Sequence, residues 1–141
     1  MVANAILLPV LGMVLVTFLV CLRMYIVRLG EMRTRRIHPQ KVSTRAAAST
    51  MLTNTGASDN LMNLFEMPVL FYVAALTVFA IGATDGLYIG LAWAYVGLRA
   101  LHSLIHTTYN RVMHRFAVYM ASIVVLLAMW IKLAVDILAR G

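Results

Sequence analysis

The sequence predicts an all-α protein, an integral membrane bundle of four transmembrane helices. The chain of 141 residues is 62% hydrophobic and only 12% charged, whereas soluble domains carry about 25% charged residues. Its apolar residues also form four stretches close to the roughly 20 residues that a helix needs to cross a bilayer. This composition excludes a soluble monomer, and the length suits a single domain covering residues 1–141.

The predicted spans follow one another with short connections after the first. Residues 4–22 carry no charge and basic residues follow from Arg23 onward, which distinguishes the first span from a cleavable signal peptide. The second and third are separated by a tight glycine-containing turn around Asp85 and form a hairpin. A short basic link, residues 110–115, precedes the fourth. The predicted spans are residues 4–27, 61–83, 87–109 and 116–138.

The distribution of charge predicts the orientation of the bundle. The chain has 12 Lys and Arg against 5 Asp and Glu, a net charge of +7. In a soluble protein this excess would suggest nucleic acid, but here the basic residues concentrate in the loops 29–60 and 110–115. The positive-inside rule then places both loops in the cytoplasm and both termini outside. The expected partner is therefore the lipid bilayer and not nucleic acid.

The start of the second span carries a polar pattern followed by a proline. Asn63 and Glu66 lie three residues apart and therefore share one face of a helix. Because Pro68 lacks a backbone N–H, the Leu64 carbonyl is expected to lose its helical partner. The pattern predicts a polar site on this part of the helix.

The third span carries a second polar stripe. Arg99, His102 and His106 follow one another at spacings of three and four residues and so share a helical face. A charge near the bilayer centre costs at least ~2.5 to 3.5 kcal/mol on insertion scales and is retained only with a partner. A rise of about 1.5 Å per residue places Glu66 at a depth between the two histidines. The sequence therefore predicts one polar cluster in the cytoplasmic half of the membrane.

Structural interpretations of the same residues stay open at this point. Arg99 and Glu66 could form a buried ion pair that sets helix register. His102 and His106 could hydrogen-bond across helices. They could also ligate a metal with Glu66, but two ligands on one helix are weak support, and no metal site is predicted. Arg115 could simply anchor the fourth helix at the level of the lipid phosphates.

Two stretches of the chain resemble a known family. They run from Asn63 to Tyr72 and from Leu98 to Phe116. They are similar to bacterial members of the MAPEG family, membrane-associated proteins in eicosanoid and glutathione metabolism that include microsomal glutathione transferases and leukotriene C synthase. The resemblance implies a homotrimer of four-helix subunits in the bacterial inner membrane, with glutathione bound between neighbouring subunits.

The resemblance also implies roles for individual residues. Asn63 and Glu66 match the family's Asn-x-x-Glu pair, which holds glutathione, and Arg99 matches an arginine of the third helix. The basic end of the first helix contributes contacts from a neighbouring subunit. Either Arg23 or Arg28 could fill that place, since spacing does not choose between them.

The chain departs from the eukaryotic enzymes along the third helix. His102 and His106 stand where those enzymes carry tyrosines, and they are expected to contact the bound peptide. The thiol-activating arginine of the family would fall at Met113. Arg115 is the expected substitute after a small register change, with Arg111 as the alternative.

Two classes of function follow from these residues. The first is a glutathione-dependent transferase or peroxidase that takes glutathione as co-substrate and acts on apolar electrophiles or lipid hydroperoxides. A thiol attacks as its thiolate, so a nearby guanidinium would raise the reactive fraction. The alternative is a non-enzymatic accessory or assembly subunit of a larger membrane complex. A metal or haem protein that uses the histidines is a third, weaker hypothesis.

Overall fold

A computed structural model of the chain describes residues 3–140, and every regular element in that range is helical. Short 3-10 turns at Ala3–Ile6 and Pro39–Val42 precede the first and second α-helices. The α-helices are α1 (Leu7–Thr34), α2 (Arg45–Met51), α3 (Gly56–Asn63), α4 (Met67–Ala80), α5 (Gly86–Thr107) and α6 (Val112–Leu138). The all-α prediction is confirmed for these residues.

Three helical segments of the described chain are long and apolar enough to cross a membrane: Asn4–Thr34, Gly56–Ala80 and Val112–Leu138. This supports an integral membrane protein. The third predicted span, α5, has 22 residues but a lower apolar content, because it carries the polar stripe together with glycines and tyrosines. The count of four spans stays a prediction for that reason.

The bundle is organised around α5, which packs against both α1 and α6. Phe71 and Val78 belong to a buried stripe of α4, and Phe71 stacks on Tyr95 of α5 with ring centroids 4.7 Å apart. Large apolar side chains of α1 point away from the core, as expected for a helix in contact with lipid tails. They include Leu11, Leu15, Phe18, Leu22 and Ile26.

The second predicted span is broken where the sequence places its proline. α3 ends at Asn63 and α4 begins at Met67, with Pro68 as its second residue. Glu66 between them has φ −95° and ψ −95°, outside helical geometry. A continuous helix would use the Asn63 carbonyl for the N–H four residues later. Across the break the Asn63 carbonyl accepts instead from the Glu66 N–H at 3.4 Å, and its second lone pair can accept a side-chain hydrogen bond.

The long connection between the first two spans has structure of its own, centred on Glu31. Its carboxylate accepts hydrogen bonds from the backbone N–H and hydroxyl of Thr53, each at 2.7 Å, and from the Asn54 N–H at 3.3 Å. Arg35 donates to the same carboxylate at 2.8 Å and to the Met51 carbonyl at 2.6 Å. These contacts hold the segment before α3 against the end of α1.

A charged cluster ties together the opposite end of the bundle. Spacing predicts an intrahelical pair between Lys132 and Asp136, and the structure has it at 2.9 Å. Lys132 also contacts Asp85 at 2.9 Å, and the Tyr88 hydroxyl donates to Asp136 at 2.8 Å. Since Asp85 caps α5 by accepting from the Tyr88 N–H, the cluster joins the start of α5 to the end of α6.

This arrangement makes stability depend on pH. The hydrogen bond from the Tyr88 N–H, aided by Lys132, lowers the pKa of Asp85 below its ordinary value of 3.8. A carboxylate with a lowered pKa stabilises the fold above its unfolded pKa and loses that contribution as pH falls through the folded value. We expect Asp85→Asn, which keeps a capping oxygen, to cost about 0.5 to 1 kcal/mol near pH 7.

Thermal unfolding in detergent between pH 7 and pH 3 measures the effect of this substitution. The difference between wild type and Asp85→Asn should shrink below about pH 4, because the unfolded carboxylate then takes up a proton, and it should vanish once the pH has fallen through the lowered folded pKa. A difference that stays the same down to pH 3 would contradict the electrostatic origin.

Candidate functional site

The polar stripe of α5 faces the protein interior. Arg99 is 0% exposed, and both His102 and His106 are buried. The Arg99 Nη2 donates to the Asn63 carbonyl oxygen at 2.8 Å, and this oxygen also accepts from the Glu66 N–H at 3.4 Å at the break between α3 and α4. The Arg99 Cζ lies 5.2 Å from the centre of the Tyr119 ring of α6. The guanidinium therefore bridges the α3–α4 junction and α6.

Arg99 keeps unused hydrogen-bonding capacity. Its Nε and Nη1 are buried and have no acceptor in the part of the chain that the structure describes. Glu66 is exposed and is not within 4.0 Å of this guanidinium. The direct ion pair that the sequence left open as a structural interpretation is absent, so Arg99 is a buried cation with no carboxylate within 4.0 Å in the described part of the chain.

The two histidines are fixed beside Arg99. The His102 Nδ1 lies 3.1 Å from the Arg115 carbonyl oxygen. A carbonyl can only accept, so Nδ1 carries the proton and donates. The other ring nitrogen, Nε2, has no partner among the described residues, and neither does the His106 Nδ1. The two rings meet edge to face at 5.6 Å.

The described residues contain no group of three or more His, Cys, Asp or Glu side chains arranged to hold a metal ion. His102 and His106 therefore have no third protein ligand within residues 3–140. Their free ring nitrogens can still accept from, or donate to, a polar ligand.

A cleft of about 710 Å³ lies beside the stripe, between the end of α1, the segment around α2, and α3. Its charged lining consists of Arg28, Asp59 and Glu66, and its apolar lining includes Met24 and Phe65. The structure thus brings Arg28 and Glu66 to one cavity. Arg99 and the two histidines do not line this cleft. The α3–α4 junction contacts both places, because Phe65 and Glu66 line the cleft and the Asn63 carbonyl accepts from Arg99.

The remaining candidate arginines have separate positions. Arg23 donates twice to the Thr107 carbonyl, at 3.0 and 3.3 Å, and closes the end of α5. Arg115 donates to the Asn110 side chain at 2.7 Å, and Arg111 is exposed just before α6. Of the two α1 candidates, Arg28 lines the cleft and Arg23 does not.

Sequence reasoning missed three residues of this region. The Tyr119 ring contacts both Arg99 and His102, at 5.2 and 5.5 Å. Asn60 is fully buried and accepts from the Ser103 hydroxyl at 3.4 Å, and the Tyr95 hydroxyl is buried without a partner. Helical spacing could have found two of them. Asn60 lies three residues before Asn63, and Tyr95 lies four before Arg99.

Comparisons with known proteins add one finding to this geometry. Neither the curated proteins nor the solved structures include a significant match to the chain. The model of the MAPEG family matches residues 6–135. This region contains α1 to α5 and most of α6, and it includes the lining of the cleft and the polar stripe of α5. This all-helical membrane chain therefore belongs to the MAPEG family.

Proposed function

We propose that the protein is a glutathione-dependent transferase or peroxidase that acts on apolar electrophiles or lipid hydroperoxides. The observation that carries the proposal is the buried Arg99, which has two donor atoms without an acceptor and no carboxylate within 4.0 Å among residues 3–140. Ionisable groups inside membrane proteins are expensive and are usually functional. A buried cation without a partner fits a site that receives an anionic ligand.

The adjoining cleft supports a small zwitterionic ligand. Glutathione carries one ammonium group and two carboxylates, and the cleft offers charges of both signs in Glu66 and Arg28. Its volume of about 710 Å³ falls in the usual range of small-molecule sites. In this proposal Glu66 receives the ammonium group, Arg28 a carboxylate, and Asn63 holds the peptide at the junction between the cleft and the stripe.

The reaction needs little beyond a bound thiolate. Its sulfur attacks an electrophilic carbon with its own electron pair, and the leaving group departs with the electrons of the broken bond. With a chlorinated aromatic the products are the thioether and chloride. An apolar substrate reaches such a site from the bilayer, so the membrane supplies the second reactant.

The assembly belongs to the same proposal. Four spans per subunit, with α5 as the third, would form a homotrimer in a bacterial inner membrane, with the loops 29–60 and 110–115 in the cytoplasm and both termini outside. Sedimentation in detergent measures the subunit number, and accessibility of single engineered cysteines from each side of the membrane measures the orientation.

Titration of purified protein with glutathione tests the function. We expect wild type to bind and Glu66→Gln to bind at least about tenfold more weakly, since it loses a charged contact worth about 1.4 kcal/mol. Asp59→Asn is the matched control. It lies in the same cleft, but its carboxylate already accepts from the Thr55 hydroxyl at 2.9 Å.

Turnover with a chlorinated aromatic then measures transfer. If wild type neither binds glutathione nor forms the thioether, the enzyme proposal is wrong. That result would favour the accessory-subunit role.

A further inference from the structure

Residues 37–54, between α1 and α3, have an apolar cluster of their own. The cluster consists of Val42, Ala48 and Leu52, with Met32 and Ile37 packed against it. None of these side chains belongs to the main buried cluster of the bundle. Helix α2 packs chiefly on the short turn that precedes it. The segment is therefore a small unit beside the bundle and not a part of its core.

Both ends of this segment are fixed to the last turns of α1. At its start, the Ile37 N–H donates to the Met32 carbonyl at 2.9 Å, and Arg36 has φ +52°. A left-handed residue with this hydrogen bond is a common way to end a helix and turn the chain back. At the other end, Glu31 accepts from both the N–H and the hydroxyl of Thr53. The segment thus leaves α1 and returns to it.

The segment also forms one wall of the cleft of about 710 Å³. Ser43, Ala48 and Leu52 line this wall, whereas Arg28 of α1 and Glu66 of the α3–α4 junction line the others. The walls differ in how they are anchored. Helix α3 packs on both α1 and α5, but α2 has no comparable contact with the long helices. The wall that contains α2 is therefore the one that can move without disturbing the bundle.

The Glu31 carboxylate is well placed to hold this wall in position. Its side chain is only 10% exposed, and a carboxylate accepts stronger hydrogen bonds than a neutral oxygen does. Arg35 bridges the same carboxylate and the Met51 carbonyl, at 2.8 and 2.6 Å, so the end of α2 is held as well. Release of this one carboxylate would free the returning end of the segment, while the turn after α1 would keep the other end attached.

We propose that residues 37–54 are a lid over the cleft, with Glu31 as its latch and the turn at Arg36 as its hinge. When the lid is open, a polar ligand can reach Arg28 and Glu66 from solvent. When it is closed, water is excluded and the contacts of these two charges with a ligand become stronger. The inference concerns access to the cleft and goes beyond the proposed function, because it holds for any ligand that binds there.

Trypsin cleavage after Lys41 measures opening of the lid without any ligand. Lys41 is exposed but Val42 is buried in the cluster of the lid, so the bond between them reaches a protease only when the lid detaches. We expect Glu31→Ala to raise this cleavage rate by at least about tenfold, since losing one hydrogen bond to a charged group already shifts an equilibrium by that factor. Glu31→Gln keeps one acceptor oxygen and should give an intermediate rate. Unchanged cleavage in Glu31→Ala would overturn the latch.

Thr34→Ala is the matched control for Glu31→Ala. Thr34 lies in the same turn of α1 and is exposed, and its hydroxyl donates within the helix to the Gly30 carbonyl at 2.9 Å. This variant should leave cleavage after Lys41 within about twofold of wild type. Cleavage after the exposed Arg111 reports on the rest of the fold and should not change in either variant. A parallel rise at Arg111 would show general loosening and would contradict a local lid.

Labelling of a cysteine in the cleft tests whether the lid controls access. Ser58 of α3 lines the cleft, so Ser58→Cys is combined with Cys21→Ala and treated with uncharged monobromobimane. Glu31→Ala should speed this labelling by a factor comparable to that for cleavage after Lys41, because both rates follow the population of the open lid. Thr108→Cys, at an exposed position just after α5, should react at an unchanged rate.

The two measurements together decide the inference. Faster cleavage in Glu31→Ala with unchanged labelling of Ser58→Cys would overturn it, because the segment would then move without opening the cleft. Neither measurement uses glutathione. Failure of glutathione to bind would therefore contradict the proposed function, whereas the lid is decided by cleavage and labelling alone.

Discussion

Replacement of Arg99 by methionine is expected to make the protein more stable. The guanidinium is 0% exposed, and within residues 3–140 it makes one hydrogen bond, to a backbone carbonyl, and has no carboxylate within 4.0 Å. Replacing buried charges by apolar side chains of similar volume is often neutral or stabilises proteins by about 1 to 4 kcal/mol. We expect a gain in that range, which raises the midpoint of thermal unfolding in detergent by several degrees.

Arg23→Met is the matched control for this prediction. Arg23 also donates to a backbone carbonyl, that of Thr107, but it is exposed to solvent. Its replacement recovers no desolvation free energy and should leave stability unchanged or slightly lower. If Arg99→Met is instead destabilised by 3 kcal/mol or more, a value typical of a broken buried ion pair, Arg99 has a structural role.

The combined result for Arg99 would separate function from stability. A residue that lowers stability and is still required for ligand binding is placed for the ligand and not for the fold. Weaker glutathione binding by Arg99→Met, together with a higher unfolding temperature, would therefore support a ligand-binding role for Arg99.

Gly56→Ala is expected to have the largest destabilising effect. A Cβ at this position would lie 2.9 Å from the His106 carbonyl oxygen, which is backbone and cannot rotate away. Helix α3 would have to move away from the end of α5, and overpacking of this kind costs about 1 to 3 kcal/mol. Because α3 ends at Asn63, the same shift should weaken glutathione binding.

Gly30→Ala provides the control for Gly56→Ala. Gly30 lies within α1, and a Cβ there would have no neighbouring heavy atom within 4 Å. Alanine in a helix interior is favoured over glycine by about 0.5 to 1 kcal/mol, so this variant should be unchanged or slightly more stable. Equal thermal unfolding of the two variants would show that α3 is not tightly packed on α5.

Much of the candidate site could be derived from residue spacing. The interval between Asn63 and Pro68 predicts a disturbed helix, and the structure breaks the helix between these residues. The spacing of Arg99, His102 and His106 predicts one stripe, and all three side chains are buried. These features are local, because helical periodicity and the missing N–H of proline act within one or two turns.

The partners of these residues could not be derived in the same way. The single polar cluster predicted from the spacing places Glu66 beside Arg99. In the structure Glu66 lines the cleft, whereas Arg99 donates a hydrogen bond to the Asn63 carbonyl. Spacing tells which residues share a face but not how that face is rotated toward a neighbouring helix. The proline break changes that rotation at Glu66.

The sequence by itself determined the helical class, the membrane environment, the disturbance of the helix before Pro68 and the polar stripe of α5. Each of these depends on composition or on intervals of a few residues. The shared helical face predicted for Asn63 and Glu66 is wrong, because the helix ends at Asn63 and Glu66 lies in the break. Only the tertiary structure decided that Arg28 and not Arg23 lines the cleft, and that Glu31 holds Thr53 across 22 residues of chain. These contacts depend on how distant segments approach one another, and local periodicity carries no information about that approach.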